Sequence, residues 1–348
     1  MSTPSTRSTS RSRRTKPRRN VAVLGAGSWG TALAILLAHN GHDVRLWGHL
    51  PQEMEALARA RENTAFLPGI PLPDNITPLA DLDTALAGVT EVLVVVPSHA
   101  FHTVIGQIAP KLDAGPGVAW ATKGFQPGTQ RLLSEVAAEL MPGRELAVIS
   151  GPTFAGEVAR SLPTAVTVAA SSQRFAERMA DLLHAPWFRP YTSDDLVGVQ
   201  VGGASKNVLA IAAGIADGLG FGANTRAALI TRGLAEIMRL GIQLGGRPET
   251  FMGLAGLGDL VLTCTDNQSR NRRMGLALAE GLSIEQARRR IGQEVEGVHT
   301  AQEVFKLASR NGVEMPISEQ VYAVLYEQLD PGEAVRNLLE RSHKPEGL

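Results

Sequence analysis

The pattern of apolar and polar positions changes its character near residue 198. Before that point, short and mostly β-branched apolar runs indicate strands, and several are continuous enough for parallel strands that are buried on both faces. The predicted strands are 21–24, 43–47, 91–96, 117–121, 146–150, 164–169 and 188–191, with helices predicted at 31–39 and 175–183. After that point, apolar residues recur at helical spacing, which predicts helices over 225–240, 270–280, 284–291, 300–309 and 317–328.

The first predicted strand runs directly into a glycine motif. Residues 21–24 are followed by Gly25-x-Gly27-x-x-Gly30 and then by the helix predicted over 31–39, which is the order that a dinucleotide pyrophosphate requires. Gly25 allows the tight turn, Gly27 leaves the backbone open to the phosphates, and Gly30 lets the helix lie close to the strand. The helix N-terminus adds free N–H groups. The motif predicts a nucleotide site, and a purely structural glycine turn is the alternative.

Two domains are expected from this organisation, since 348 residues suffice for two cores. We predict an α/β, Rossmann-type doubly wound domain over residues 20–197 and an all-helical, substrate-binding and catalytic domain over residues 198–340. Residues 1–19 contain seven basic residues and no acid, without apolar periodicity. They are predicted to be a disordered, solvated tail, and a nucleic-acid arm or a transit peptide is the alternative. The rest of the chain is net acidic by about seven charges.

Composition argues against several classes of function. The single cysteine, Cys264, excludes an internal disulfide and fits a cytoplasmic location. No paired Cys/His spacing suggests a metal, and the scattered aromatic residues form no stacking platform for single-stranded nucleic acid. The most apolar long stretch, residues 197–216, carries Lys206 and Asn207 at its middle, which argues against a membrane span.

The end of the second predicted strand bears on the choice of coenzyme. An NAD-specific site has Asp or Glu about 20 residues after the first glycine, but no acid occurs here before Glu53. Gly48 and His49 occupy that position, with Arg45 nearby. We expect the site to accept NADP as well as NAD, and a preference for NADP is the stronger form of this hypothesis. The alternative is that His49 only caps a turn.

One cation and one carboxylate lie in segments that are otherwise small and apolar. Residues 201–214 contain Lys206, and because an unpaired buried ammonium is costly, this lysine needs a charge partner or a lowered pKa. Either makes it useful as a general acid toward a carbonyl oxygen, or as a base toward the alcohol. The glycine-rich loop at 253–260 isolates Asp259, a natural partner. The alternative is that Lys206 extends to the surface.

Hydroxyls, amides and guanidiniums cluster at residues 263–273, ahead of a predicted helix. Arginine forks and helix-start N–H groups bind phosphate well, and a solvated basic helix start is the alternative. Residues 97–99, 122–124 and 151–153 each follow a predicted strand, so they are expected around the same crevice as the glycine loop. Cys264 has no histidine partner in the sequence and is interpreted as structural.

Ten motifs follow one another over residues 20–330. They are Gly-Ala-Gly-Ser-Trp-Gly-Thr-Ala-Leu-Ala, Trp-Gly-His, Val-Pro-Ser-His, Ala-Thr-Lys-Gly, Ser-Gly-Pro-Thr-Phe-Ala, Gly-Gly-Ala-x-Lys-Asn, Asp-Gly-Leu-Gly-Phe-Gly-Ala-Asn-Thr-Arg, Gly-Leu-Gly-Asp-Leu, Leu-Thr-Cys-Thr-Asp-Asn-Gln-Ser-Arg-Asn-Arg-Arg and Val-Glu-Gly. In this set and order the chain closely resembles the bacterial NAD(P)-dependent glycerol-3-phosphate dehydrogenases. The basic tail lies outside the resemblance.

The resemblance implies interconversion of dihydroxyacetone phosphate and sn-glycerol 3-phosphate, the latter feeding phospholipid synthesis. Carried over by motif, the nucleotide contacts, besides the three glycines, would be Ser28, Trp29, His49, Lys123, Ala155, Arg270, Glu294 and Glu296. The substrate contacts would be Lys123, Gly151, Thr153, Lys206, Asp259, Ser269, Arg270 and Asn271. Glu294 departs from the family pattern, in which an apolar residue stands at this position.

The implied mechanism assigns the proton donor and acceptor to Lys206, with Asp259 and Lys123 as the other candidate catalytic residues. Arg270 and Asn271 would anchor the phosphate of a small-molecule substrate, with no nucleic-acid partner. A related 3-hydroxyacid or 6-phosphogluconate-type dehydrogenase is one alternative function, and a non-catalytic NAD(P)H-binding redox sensor is another. Apolar helices in the second domain are compatible with a homodimer.

Overall fold

The first half of the chain forms one eight-stranded sheet in the computed structural model, which describes residues 17–342. The strands are β1 (Asn20–Leu24), β2 (Asp43–Trp47), β3 (Ile76–Leu79), β4 (Glu91–Val94), β5 (Gly117–Trp120), β6 (Leu146–Ser150), β7 (Thr164–Ala170) and β8 (Phe188–Ser193). Their order across the sheet is β3-β2-β1-β4-β5-β6-β7-β8. The pairs are parallel except β6 with β7.

Helices cover both faces of this sheet. They are α1 (Ser28–His39), α2 (Pro51–Ala60), α3 (Leu82–Leu86), α4 (Ser98–Ile108), α5 (Leu133–Leu140), α6 (Ala155–Ala159) and α7 (Gln173–Leu183). Alternate residues of β1 point to opposite faces: Val21 and Val23 join the core under α1, α2, α6 and α7, whereas Ala22 and Leu24 join the core under α3, α4 and α5. The strand order reverses between β1 and β4, and the crevice at such a reversal is where doubly wound sheets bind ligands.

The rest of the described chain is helical. Its elements are α8 (Leu196–Gly218), α9 (Ala223–Gln243), α10 (Pro248–Phe251), a π-helical turn (Leu254–Gly258), α11 (Asp259–Thr265), α12 (Arg270–Ala279), α13 (Ile284–Ile291), α14 (Glu296–Arg310), α15 (Pro316–Tyr326) and α16 (Pro331–Leu339). Helix α8 is the centre of this region, with residues 198–216 all buried. By length and composition α8 could cross a membrane, but 83% of its most apolar window is buried inside the protein, as expected of a core helix.

Glycines let α12 pack directly on α8. A Cβ added to Gly214 would lie 2.1 Å from the carbonyl oxygen of Arg272, and one added to Gly275 would lie 2.1 Å from that of Ile211. Neither helix could carry a side chain at these positions without moving apart. The backbones of α8 and α12 are therefore in contact, which fixes the relative height of the residues they carry.

The predicted fold class, a Rossmann-type α/β sheet followed by a helical region, is confirmed. Strands β2 and β6 have the predicted bounds, whereas the run at 91–96 ends as a strand at Val94 and α1 begins three residues earlier than predicted, at Ser28. The prediction for the basic tail falls mostly outside the described residues. Within them, Arg18 pairs with Asp43 and Arg19 pairs with Glu91 at 2.9 Å, so these two arginines are tied to strand starts.

Candidate active site

The glycine loop lies at the carboxyl end of β1, at the switch point of the sheet. Gly25 has a φ of +121°, and a Cβ on it would lie 2.5 Å from the carbonyl oxygen of Val95. A Cβ on Gly30 would lie 1.8 Å from the carbonyl oxygen of Gly25, whereas one on Gly27 would meet no atom within 4 Å. The first and third glycines are thus required by the packing of the loop itself. The middle one borders open space, where a pyrophosphate would lie.

Helix α1 begins at this loop with unpaired donors. Its N-cap, Gly27, provides no side-chain hydrogen bond, so the first N–H groups of the helix are available to an anion. The indole Nε1 of Trp29 is buried and has no hydrogen-bond partner among the described residues. The open space at Gly27 and the free N–H groups at the start of α1 fit a dinucleotide, with Ser28 and Trp29 among its predicted contacts.

The end of β2 has no room for an acidic side chain as it stands. A Cβ on Gly48 would lie 2.4 Å from the Sδ of Met54 and 3.3 Å from the Cβ of Ala26. His49 follows it and is exposed. The guanidinium of Arg45, expected nearby, instead donates hydrogen bonds to the carbonyl oxygens of Thr84, at 2.9 Å, and Ala87. Arg45 therefore caps the C-terminal carbonyl groups of α3 and does not face the end of β2, where His49 is the exposed side chain.

Two predicted site residues, Lys123 and Gly151, follow strands β5 and β6 at the same carboxyl edge of the sheet. Lys123 follows β5, and its Nζ donates to the carbonyl oxygen of Gly151, at 3.1 Å, and to Oδ2 of Asp259, at 2.5 Å. Gly151 follows β6, and Thr153 Oγ1 also donates to its carbonyl oxygen, at 3.2 Å. Ala155 begins α6, which packs on α1. Lys123 thus connects the sheet edge to the helical region.

Lys206 lies on the middle of α8 and is 6% exposed. Its Nζ donates to Oδ1 of Asp259 and to Thr263 Oγ1, the latter at 2.7 Å. Asp259 is fully buried, so one buried carboxylate accepts hydrogen bonds from two lysines, one oxygen for each. The expected pairing of Lys206 with Asp259 is present, and the alternative of an exposed lysine is excluded by this burial.

This environment makes the Lys206 ammonium more acidic than usual. The pKa of Lys206 is lowered from 10.5 to about 8, chiefly by burial and also by the positive charge of Lys123, against the opposing effect of Asp259. A lysine whose pKa lies near neutral pH can both give and take a proton at working pH. Lys206 is therefore suited to acid–base chemistry in either direction.

The π-helical turn before α11 explains how Asp259 reaches this position. A Cβ on Gly202 of α8 would lie 2.7 Å from the carbonyl oxygen of Ala255, and one on Gly256 would lie 2.0 Å from that of Phe251. The turn is therefore pressed against α8 without intervening side chains. Such π-helical turns are frequent at functional sites, and this one starts α11 with the carboxylate of Asp259 facing Lys206.

The start of α12 carries the predicted phosphate contacts. Ser269 is the N-cap, and its hydroxyl accepts a hydrogen bond from the N–H of Arg272 at 3.1 Å. The Arg270 guanidinium makes no hydrogen bond or ion pair with any residue from 17 to 342, although burial lowers its pKa and the nearby Glu296 opposes this. An unpaired guanidinium at a helix N-terminus is well placed for a phosphate.

The side chain of Asn271, unlike that of Arg270, already makes hydrogen bonds within the protein. Its Nδ2 donates to Oδ1 of Asn207 at 2.9 Å, and its Oδ1 accepts from the N–H of Gly297 at 2.9 Å. Only one amide hydrogen and the backbone N–H are left for a substrate. Asn271 therefore ties the starts of α12 and α14 to α8, beside Lys206.

Two predicted nucleotide contacts flank the start of α14. Glu296 accepts hydrogen bonds from the N–H of Ser98, at 3.1 Å, and from its hydroxyl, at 2.7 Å, which connects α14 to the first turn of α4. Burial raises the pKa of Glu296. Oε1 of Glu294 lies 3.4 Å from Nε2 of His299, and this interaction lowers the pKa of Glu294. The residue that departs from the family pattern thus has its own local partner.

The structure adds two residues that the sequence analysis did not place in the site. Thr263 holds the Lys206 ammonium, and Asn207 holds Asn271. The spacing of Asp259 and Thr263, four residues apart on one helix, puts both on one face and is the signal that could have identified Thr263. Cys264 is buried, and burial raises its pKa to about 12, which fits the structural interpretation. Within residues 17–342 no group of three His, Cys, Asp or Glu side chains could hold a metal.

Comparisons with known proteins agree with this geometry. The N-terminal model of the NAD-dependent glycerol-3-phosphate dehydrogenases matches residues 20–176, and the C-terminal model of the same family matches residues 195–336. A glycerol-3-phosphate dehydrogenase [NAD(P)+] of Pseudoalteromonas translucida is 60% identical over 94% of this chain and 98% of its own length. One of Xanthomonas campestris is 54% identical over 95% and 97%.

A solved structure is similarly close. The crystal structure of glycerol-3-phosphate dehydrogenase from Coxiella burnetii has a TM-score of 0.91 and 50% identity, covering 93% of this chain and 99% of that chain. Family models, sequence relatives and a solved structure thus agree over almost the same residues. The chain belongs to the NAD-dependent glycerol-3-phosphate dehydrogenase family.

Proposed function

We propose that the protein interconverts dihydroxyacetone phosphate and sn-glycerol 3-phosphate with NAD(P)H. The observation that carries the proposal is the Lys123–Asp259–Lys206 cluster at the carboxyl edge of the sheet, together with the unpaired Arg270 at the start of α12. A proton donor toward an oxygen and an anchor for a phosphate are what this substrate requires. The family membership and the names of the relatives support the same reaction.

Lys206 is proposed to be the acid–base catalyst. In reduction, its ammonium gives a proton to the oxygen of the ketone while C2 gains a hydride, and the neutral amine regains a proton from solvent. In oxidation, the neutral amine takes the proton of the alcohol. The nicotinamide coenzyme supplies or accepts the hydride when bound. A cation beside the growing negative charge lowers the barrier in either case.

The other residues are proposed to position these groups. Asp259 orients both lysines, Lys123 adds a second positive charge near the reacting oxygen, and Arg270 holds the phosphate. A fixed phosphate leaves the carbonyl at one place relative to Lys206, and such positioning supplies a large part of a rate enhancement. The proposed nucleotide contacts, besides the three glycines, are Ser28, Trp29, His49, Lys123, Ala155, Arg270, Glu294 and Glu296. The remaining proposed substrate contacts are Gly151, Thr153, Ser269 and Asn271.

Coenzyme oxidation with defined ketones tests the proposal. We expect NADPH to be consumed with dihydroxyacetone phosphate, and sn-glycerol 3-phosphate to be identified as the product. Exclusive turnover of a 3-hydroxyacid or of 6-phosphogluconate would assign the protein to a related dehydrogenase. Binding of NADPH without any single-turnover oxidation by the ketone would favour a redox sensor, and either result overturns the proposal.

The coenzyme preference is a separate part of the proposal. We propose that NADP is accepted and favoured over NAD, because no acid precedes Glu53 at the end of β2 and the packing of Met54 against Gly48 closes that position. The measurement is the ratio of kcat/KM for NADPH and NADH. The double variant Gly48→Asp/Met54→Ala is expected to shift this ratio toward NADH, and an unchanged ratio would contradict the assignment.

Cellular context and assembly complete the proposal. We propose a cytoplasmic enzyme that supplies sn-glycerol 3-phosphate for phospholipid synthesis, divided into domains at 20–197 and 198–340. A homodimer is supported by exposed apolar side chains of the helical region, among them Leu339, which is 75% exposed. Light scattering of the purified protein tests the dimer, and limited proteolysis tests the domain division.

A further inference from the structure

A second buried carboxylate shared by two cations lies at the far end of α8. Asp217 is in the last turn of this helix, with a side chain that is 7% exposed. Its Oδ1 accepts from Nε and Nη2 of Arg226, at 3.0 and 2.8 Å. Its Oδ2 accepts from Nε and Nη2 of Arg272, at 3.1 and 2.5 Å. Hydrogen bonds between an arginine and a carboxylate are charge-assisted and are among the stronger ones in proteins.

Arg272 has a third contact, on the loop that enters α12. Its Nη1 donates to Oδ1 of Asn267, two residues before the N-cap Ser269. The backbone N–H of Arg272 donates to the hydroxyl of Ser269. One arginine therefore holds the loop at 267–269 by two bonds and fixes it to α8 through Asp217.

Arg272 does not itself offer a free group to a substrate. Its side chain is 10% exposed, its Nε, Nη1 and Nη2 all have partners, and its charge is opposed by Asp217. Arg270, two residues earlier, is the reverse case, since its guanidinium makes no hydrogen bond or ion pair with a described residue. Arg270 is thus available for a phosphate, and Arg272 holds the backbone that carries Arg270.

The contacts of Arg272 with Asp217 and Asn267, called the Arg272 anchor below, bear on the chemistry because Asp217 lies on the same helix as Lys206. Asp217 and Lys206 both lie on α8, eleven residues apart, which corresponds to about 16 Å along a rigid helix. A second tie, from Asn271 to Asn207, joins α12 to α8 beside Lys206. Together with the backbone contact at Gly214 and Gly275, these two ties fix the start of α12, which carries Arg270, relative to α8.

We infer that Asp217 and Arg272 are positioning residues that hold the phosphate-binding Arg270 at a fixed distance from Lys206, and that they thereby set the preference for phosphorylated over unphosphorylated ketones. The inference rests on the proposed function. A phosphate contact assists catalysis only when it leaves the carbonyl within tenths of an ångström of the reacting position, and displacement by 1 Å costs on the order of 100-fold in rate. Loosening the Arg272 anchor removes this benefit only from substrates that carry a phosphate.

The test compares Arg272→Lys with the wild type on dihydroxyacetone phosphate and on dihydroxyacetone. A lysine keeps the charge beside Asp217 but cannot hold Asp217 and Asn267 together. We expect kcat/KM for the phosphorylated ketone to fall by about 10- to 100-fold, with little change for the unphosphorylated ketone or for the Kd of NADPH. The inhibition constant of inorganic phosphate against dihydroxyacetone phosphate is expected to rise in parallel.

Two further variants separate positioning from loss of stability. Arg226→Gln removes the other cation from Asp217 without touching the loop, so it is expected to lower the Tm while keeping the preference between the two ketones. Asn267→Ala changes an exposed residue and is expected to weaken the preference by about threefold, since it removes only one bond of the Arg272 anchor.

The outcomes distinguish this inference from the proposed function. Equal losses on both ketones in Arg272→Lys, or an unchanged inhibition constant for phosphate, would show that Arg272 acts only through stability and would overturn the inference. Failure of the wild type to reduce either ketone would instead overturn the proposed function. A loss of preference in Arg226→Gln as large as that in Arg272→Lys would also contradict the role of the loop.

Discussion

The two sides of the cleft are built differently. On the sheet side, Gly27 borders open space and Trp29 keeps an unpaired indole N–H. On the helical side, the Lys206 ammonium already bonds to Asp259 and Thr263. Lys123 reaches the same carboxylate from the edge of the sheet. The nucleotide side thus leaves its donors free for a ligand, whereas the catalytic side is organised before any ligand arrives. Substitutions should therefore damage binding on one side and chemistry or stability on the other.

The largest expected effect is that of Lys206→Ala on turnover. Removing a general acid–base group costs about 10²- to 10⁴-fold in rate, so kcat should fall by about 10³-fold. Nucleotide binding, followed by NADPH fluorescence, should remain, because the free donors lie on the other side of the cleft. Lys111→Ala, which removes an exposed lysine paired with Asp83, is the control. Near-normal turnover in Lys206→Ala would end the assignment.

Asp259→Asn should damage both chemistry and stability. The change leaves the buried Lys206 ammonium and the half-buried Lys123 ammonium without their carboxylate, and breaking a buried pair in this way costs about 3–5 kcal/mol. Urea denaturation measures the loss in the free energy of unfolding. Asp194→Asn removes a carboxylate that is 72% exposed and pairs with Arg247, and it should cost less than about 1 kcal/mol. Equal effects of the two variants would refute the distinction.

Alanine at Gly30 should lower the stability of the fold, whereas alanine at Gly27 of the same loop should lower the affinity for NADPH. Gly30→Ala places a Cβ 1.8 Å from a backbone oxygen, and we expect a loss of about 3 kcal/mol in stability, at the upper end for overpacking. Gly27→Ala meets no protein atom, so stability should be kept while the Kd for NADPH rises about tenfold, equivalent to ~1.4 kcal/mol. Retained affinity in Gly27→Ala would mean that the phosphates do not lie at this glycine.

The smallest expected effect is a displacement of the pH profile. Ketone reduction requires protonated Lys206, so kcat/KM should be highest below the pKa of about 8 and fall as the pH rises through it. Lys123→Gln removes the like charge that lowers the pKa of Lys206, and the falling limb should move to higher pH. A limb that stays in place would show that another group controls it, and Lys111→Ala again provides the matched control.

Sequence patterns predicted the sheet better than the contacts of the site. Strand runs such as 146–150 are recognisable because buried parallel strands are nearly all apolar, and the glycine motif is local. The run at 91–96 was predicted too long because its last two residues have strand composition but turn under the glycine loop, where Val95 meets Gly25. Helices α2 to α6 and strand β3 were not predicted, and β3 contains a proline, Pro78, which is unusual within a strand.

Pairings between distant segments were harder to predict. Lys206 and Asp259 stand out because each is a charge in an apolar segment, so their partnership could be predicted. The bond of Lys123 to the same carboxylate, and that of Glu296 to Ser98, join residues 136 and 198 positions apart, and no local pattern encodes them. Arg45 shows the converse: its place in the sequence suggested a nucleotide contact, but the end of α3 lies within its reach.

The buried Cys264 has a practical consequence. It is the only cysteine in the chain, it is 1% exposed, and with a pKa of about 12 it stays a thiol at every pH where the enzyme would be assayed. Alkylating reagents need the thiolate and access to the sulfur, so they can modify the protein only after the helices around α11 open. The rate at which Cys264 is labelled in excess reagent would therefore report how often these helices open, without any added probe.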